Sequence, residues 1–204
     1  MNLGELRTEL LARGFDYLDS AQHTRPNRYI NRAYHAICDT YDWPFLEDDA
    51  QGVAPLTISN LRSVLGVVNS SQMVKLRYVD RRRLLDIDPD LTTAGSPVLW
   101  YQTSPTQIKV YPASATDQIS VHYIKTPTDL SADADVPLIP ARFHLLIVDQ
   151  AVVYAYEDSD NLDAAAGAQA TFDRRLEEMR GSLLHPNLDT HDFIVSTVDH
   201  QEWP

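Results

Sequence analysis

Residues 26–44 read PNRYINRAYHAICDTYDWP, and this stretch sets the architecture. Tyr29, Ile30, Ala33, Tyr34, Ile37 and Tyr41 recur at intervals of one, three and four, which places them on one face of an α-helix. Pro26 suits the first turn, because its ring fixes φ near the helical value and its missing N–H would be unpaired there anyway. Pro44 cannot continue the run. The spacing predicts an amphipathic helix over residues 25 to 42, whose apolar face requires a second helical layer to cover it.

Upstream, Leu3, Leu6 and Leu10 share helical spacing, with Asn2 and Glu5 as a capping pair and Gly14 as a stop, so a short helix is expected over residues 2 to 13. Downstream of residue 50 the period changes to two. Val74, Leu76 and Tyr78 alternate with Met73, Lys75 and Arg77, and Asn69, Ser70 and Ser71 supply turn chemistry between that strand and Val64 to Val68. This predicts a hairpin. Ile108 and Val110, then Ile119, Val121 and Tyr123, alternate on either side of Pro112 to Asp117 and predict a second.

Pro127 to Pro140 carries Asp129, Asp133, Asp135 and three prolines, the composition of an extended connector. Pro140 then opens a helix with Phe143, Leu146, Ile147, Ala151 and Tyr154 on one side, ending near Asp158. A last helix over 161 to 180 aligns Leu162, Ala165, Gln169, Phe172, Leu176 and Met179, and Gly181 is the expected stop. Its Ala-rich first half is slim enough for another helix to approach closely. The expected fold class is therefore α+β: a core of N- and C-terminal helices, an inserted β-rich region and an extended C-terminal arm. The corresponding segments are residues 1–49, 50–126, 127–181 and 182–204.

Residues 182–204, SLLHPNLDTHDFIVSTVDHQEWP, have no sustained helical period yet are too apolar for an idle tail. Phe193, Ile194, Val195 and Trp203 are candidate docking residues, on this chain's own domain or on a neighbour. A buried side chain of that size contributes roughly 1.5–3 kcal/mol.

Seventeen Lys and Arg stand against 29 Asp and Glu, a formal charge of -12, which argues against a general nucleic-acid binder that must neutralise phosphates. The exception is Arg81, Arg82 and Arg83 after Asp80, either a solvated turn or a surface for acidic residues of a partner or of a second copy. No stretch is apolar for the roughly 18 to 20 residues that cross a bilayer, no leader pattern opens the chain, and a single cysteine fits a reducing compartment, so no membrane association is expected.

Catalytic and cofactor motifs are missing. His35, Cys38, Asp39 and Asp42 form the densest polar set, but His35 and Cys38 lack the third and fourth partners that zinc requires. Asp86, Asp88 and Asp90 imitate a calcium loop, with Leu91 where glycine is needed and Pro97 where glutamate is needed. No Gly-rich phosphate loop or nucleophile elbow occurs, and no catalytic residue, metal or cofactor is expected. Two rivals remain: a carbohydrate- or peptide-binding β-module using Trp100, Tyr101, Tyr111 and Tyr123, and a hydrolase using His35 or His144 with a nearby aspartate.

The stretch Ile30 to Leu46, INRAYHAICDTYDWPFL, resembles the opening of head-to-tail connector adaptors of tailed bacteriophages, in which a helix ends in an aromatic junction, here Tyr41, Asp42 and Trp43. A proline-bearing acidic linker followed by IPARFHLLIVDQAVVYAY, and then an Ala-rich helix with FDRRLEEM, match in the same order. The resemblance covers about half of the chain, mainly the helices. It implies a non-enzymatic virion protein in the neck between capsid and tail, made in the host cytoplasm, with many copies in a ring beneath the portal protein. Terminal arms would reach the portal or adjacent copies, a downstream neck or tail protein would follow, and DNA would pass through without specific binding. A tail-completion or stopper protein at another level of the neck is the alternative within that class.

Overall fold

The computed structural model describes residues 1–18 and 24–184. Helix α1 (Leu3–Leu10) starts on a capping box: the Glu5 amide donates to Asn2 Oδ1 at 2.8 Å and the Asn2 amide donates to Glu5 Oε2 at 3.0 Å. The chain then widens into a π-type turn, Leu11–Phe15, where Gly14 takes φ +96°, a backbone state that only glycine adopts cheaply. Helix α2 (Thr24–Thr40) carries Pro26 in its first turn and buries Tyr29, Ile30, Ala33, Tyr34 and Ile37, as the spacing predicts, but it stops two residues short of 42.

The C-terminus of α2 joins the two halves of the molecule. The last carbonyls of a helix have no partner within it. Here the fully buried Trp43 donates its indole N–H to the Ile37 carbonyl at 2.8 Å, and Arg62 donates to the carbonyls of Cys38 at 2.8 Å and Asp39 at 3.2 Å. Arg62 lies on strand β3 (Leu61–Asn69), so a cation from the sheet sits at the negative end of the α2 dipole.

Six further strands complete the β-region: β1 (Glu47–Val53), β2 (Leu56–Thr57), β4 (Val74–Tyr78), β5 (Leu99–Ser104), β6 (Gln107–Tyr111) and β7 (Gln118–Lys125). Their order is β1-β7-β3-β4-β5-β6-β2, with β4 and β5 parallel and the other pairs antiparallel. Only Ala54 and Pro55 separate β1 from β2, yet these strands stand at opposite ends of that order. Six strand spacings in a flat sheet would span roughly 29 Å. The three-residue step from Val53 to Leu56 reaches at most about 11 Å. The sheet is therefore rolled, and it encloses its own core around Val67, Leu76, Ile108, Ile119 and Val121.

Two β expectations are corrected. The hairpin around Asn69 to Ser71 forms between β3 and β4, but the strands flanking Pro112 to Asp117 do not pair with each other. β6 joins β5 and β2, whereas β7 inserts between β1 and β3, aligning Val121 with Ala50 and Val67. Alternation identifies a strand, while its partners depend on which distant edges complete the roll. Within β4, only Leu76 is buried. Val74 stands beside the hairpin turn, and Tyr78 lies exposed on the ring of Trp100 with centroids 4.8 Å apart.

Residues 127–140 are a strap rather than a loose connector. The carbonyls of Asp135 and Asp133 accept from the amides of Leu3 and Gly4, donors that open α1 and have no partner within it. Asn31 closes a two-way pair with the backbone of Leu130 at 2.8 and 2.9 Å, and the Leu138 amide donates to the Tyr34 hydroxyl at 3.0 Å. Helix α4 (His144–Asp158) follows a 3-10 turn and is buried on most of its circumference, beyond the single face that the sequence indicates. It packs against α1, α2 and α5 (Leu162–Leu183). In α5, Ala165, Phe172 and Met179 are buried at seven-residue intervals, and the helix runs through Gly181 to Leu183 because that glycine stays helical.

Arg62→Ala leaves two α2 carbonyls without their charged donor. It is expected to lower stability by about 1.5–3 kcal/mol, read from urea denaturation midpoints, with little change in the transition slope.

Candidate functional site

The Arg81–Arg83 run forms a one-turn helix, α3 (Arg81–Leu85), rather than an irregular turn. Asp80 caps it, its carboxylate accepting from the Arg82 amide at 2.7 Å, and fully buried Leu84 pins it to the β-region. The arginines face solvent. Arg81 lies close enough to Tyr101 to oppose the upward push that burial gives the Tyr101 phenol. Tyr78, Ile87 and Val98, at 59%, 72% and 50% exposure, add apolar surface on and around the segments that flank α3. The other candidate contact residues, Phe193, Ile194, Val195 and Trp203, lie outside the described residues.

The polar set on α2 disperses. His35 pairs with Asp129 at 2.6 Å, Asp39 and Asp42 flank Arg62, and Cys38 is buried, which pushes its thiol up to about 12. Among the described residues no three His, Cys, Asp or Glu side chains converge on a metal position. Asp88 closes a loop instead of a calcium site, accepting from the amides of Leu91 and Thr93, both at 3.1 Å, and from the Tyr111 hydroxyl. The hydrogen bonds from Thr93 are the largest influence holding its carboxyl below 3.8.

The stacking rival loses three of its four aromatics and the hydrolase rival one of its two histidines, while Tyr111 stays half-buried and His35 keeps its aspartate, Asp129. Trp100, Tyr101 and Tyr123 are buried at 9%, 4% and 5% exposure, so they offer no open stacking face, as expected for alternating residues that line a rolled sheet. His144 is buried, with Nε2 bonded to the Ile139 carbonyl at 2.7 Å and Nδ1 to the amino group of Met1 at 2.6 Å. Both ring nitrogens are thereby occupied. Desolvation, the main influence, lowers its pKa below 6.5.

One polar cluster escaped the sequence reading. Asp149, at 4% side-chain exposure on α4, accepts from Arg13 at 2.6 Å and from Arg175 of α5. With Tyr156, Gly167 and Thr171, Arg13 and Asp149 line an open cleft of about 380 Å³ beside the slim half of α5. The signal lay in LLIVDQAVV, where a lone carboxylate in an apolar helix demands a cation, though not a particular one.

Helices joined through one buried carboxylate and its two arginines, a rolled sheet and an outward-facing basic turn define an α+β protein whose displayed chemistry lies on its surface. The sequence match says which such protein this is. The chain belongs to the SU10 adaptor protein family, a family of phage head-tail adaptors, whose sequence model matches residues 1–191. No curated protein matches the sequence. The family is a structural one rather than an enzyme class, and its members are virion-associated. No helix among the described residues is long and apolar enough to cross a membrane.

Asp149→Ala takes the shared carboxylate from Arg175 and leaves Arg13 with Glu9 alone. The expected loss, measured by chemical denaturation, is about 1–3 kcal/mol, because both arginines keep access to solvent. For His144 the folded state favours the neutral ring, so unfolding takes up a proton once the pH drops below the ordinary value of 6.5. Its contribution to stability is complete above that value and is lost progressively as the pH falls towards the depressed folded pKa. His144→Gln should flatten the fall in urea midpoint between about pH 7.5 and about pH 5, and an unchanged profile would exclude this histidine as its source.

Proposed function

We propose that this chain is the head-to-tail connector adaptor of its phage, forming an oligomeric ring beneath the portal protein, joining capsid to tail and continuing the DNA channel. The observation that carries this reading is the family match across residues 1–191, which spans the helical core and the inserted β-region together. The division of labour follows the four segments. Residues 1–49 and 127–181 act as a rigid scaffold, residues 50–126 as a contact module, and residues 182–204 as an arm that reaches the portal or an adjacent copy.

The charge of -12 supports the channel role, because a surface poor in cations holds a passing phosphate backbone weakly. The chain acts without catalysis or cofactor in this reading, and its partners are the portal, its own copies and the next neck or tail protein. Arg81, Arg82 and Arg83 serve protein contact, with Phe193, Ile194, Val195 and Trp203 as the anchors of the arm.

Electron microscopy of the full chain mixed with purified portal protein should show a second ring stacked on the portal, and absence of any complex would sink the adaptor reading. A chain truncated after Gly181 should bind portal at least about tenfold more weakly, since burial of even one large apolar side chain is worth that much. Equal binding would remove the arm from the mechanism.

A further inference from the structure

We propose that copies of this chain associate head to tail, with the α3 helix of one copy docking on the acidic edge strand β1 of the next. The proposal rests on the ring reading above and names the contact that would build the ring.

The observation behind it is an uneven distribution of paired charge. In the helical layer, six of nine arginines, Arg7, Arg13, Arg28, Arg174, Arg175 and Arg180, have carboxylate partners, while Arg32 and Arg142 lie on the rings of Tyr154 and Phe143 and Arg25 has no ion pair among the described residues. In the β-region, Arg62 and Lys125 are paired as well. By contrast, Lys75, Arg77, Arg81, Arg82, Arg83 and Lys109 form no ion pair among the described residues. In a chain with a 12-charge excess of acid, six of the nine cations that form no ion pair among the described residues therefore gather around β4, α3 and β6.

A complementary surface exists on the same chain. β1 closes one end of the strand order and pairs only with β7. It begins with Glu47, Asp48 and Asp49, all exposed, and of these only Asp48 is engaged, with Lys125 at 3.1 Å. Acids on an open edge repel an identical edge and so oppose pairing of two β1 strands. They attract a cationic helix. A copy does not satisfy its own patches: among the described residues no ion pair joins Glu47 or Asp49 to Arg81, Arg82 or Arg83. Two different patches that complement each other between copies give a heterologous contact, the kind that generates rings when its rotation closes.

Apolar exposure favours protein over nucleic acid as the occupant. Tyr78, Ile87 and Val98 stand exposed in the segments flanking α3, and Val53 is exposed at the end of β1. A phosphate backbone makes no use of such groups, whereas protein interfaces bury them within a charged rim.

The test is a charge exchange in the full chain, read by sedimentation at rising concentration in low and high salt. One variant carries Arg81→Glu, Arg82→Glu and Arg83→Glu. The other carries Glu47→Lys and Asp49→Lys, sparing Asp48 and its bond to Lys125. The substituted groups are exposed, and unchanged thermal melting confirms that each variant folds. The wild type should associate weakly and lose association in high salt. Each variant alone should associate at least about tenfold more weakly, and an equal mixture of the two should recover association, because each then meets an opposite charge on its neighbour. A wild type that stays monomeric throughout, or variants that associate like the wild type, would overturn the docking contact. The ring reading would survive either result if the wild type still stacked on portal. Duplex DNA binding lost in the arginine variant, with no recovery of association in the mixture, would also overturn it and assign the basic turn to phosphate.

Discussion

The end of helix α2 is the point on which the architecture turns. A helix that stops inside a protein leaves carbonyls that must find donors, and here they come from two places, Trp43 just beyond the helix and Arg62 on β3. The indole also fills the space between Tyr41 and Phe45, with ring centroids at 5.2 and 5.8 Å. One set of hydrogen bonds thus terminates the helix, buries an aromatic anchor and fixes the departure of the chain into β1. Because Arg62 reaches back from the sheet, the β-region is held to the helical layer by polar bonds as well as by packing. Among the strands only Ile124 contributes a fully buried side chain to the helical core.

The helical layer follows a related logic around α4. A helix buried on most faces must be apolar on most faces, and LLIVDQAVV meets that demand except at Asp149 and Gln150. Burying a carboxylate alone costs several kcal/mol, and two arginines from separate elements offset that cost. The pairing fixes where the turn after α1 and the middle of α5 meet α4. The strap makes the same use of unsatisfied backbone, since its carbonyls open α1 while Asn31 holds its turn against α2.

These two devices leave most cations of the helical side paired and the β side unevenly charged. A structural protein works through what its surface leaves unsatisfied, and in this chain that is a basic turn with apolar neighbours, an acidic edge and an apolar C-terminal sequence. Family membership gives these features their context. The rigid layer positions them, and among the described residues no ion pair joins the acidic edge to the basic turn within one copy.

Local patterns were enough to determine the α+β class, the helices near Leu3–Leu10 and Thr24–Thr40, the capping box at Asn2 and Glu5, the β3–β4 hairpin and the basic run, because each depends on residues within a few positions of one another. The sequence also disclosed that no metal or nucleophile motif was complete. Only the tertiary structure decided that β7 inserts between β1 and β3 instead of folding back on β6, that β1 and β2 become the two edges of a rolled sheet, and that Trp100 faces inward. It alone brought Arg13 and Arg175 to Asp149, residues separated by 136 and 26 positions from it along the chain. Strand partners and ion pairs of that kind are chosen by distance in space, and periodicity along a chain carries no record of which remote edge or charge will meet it.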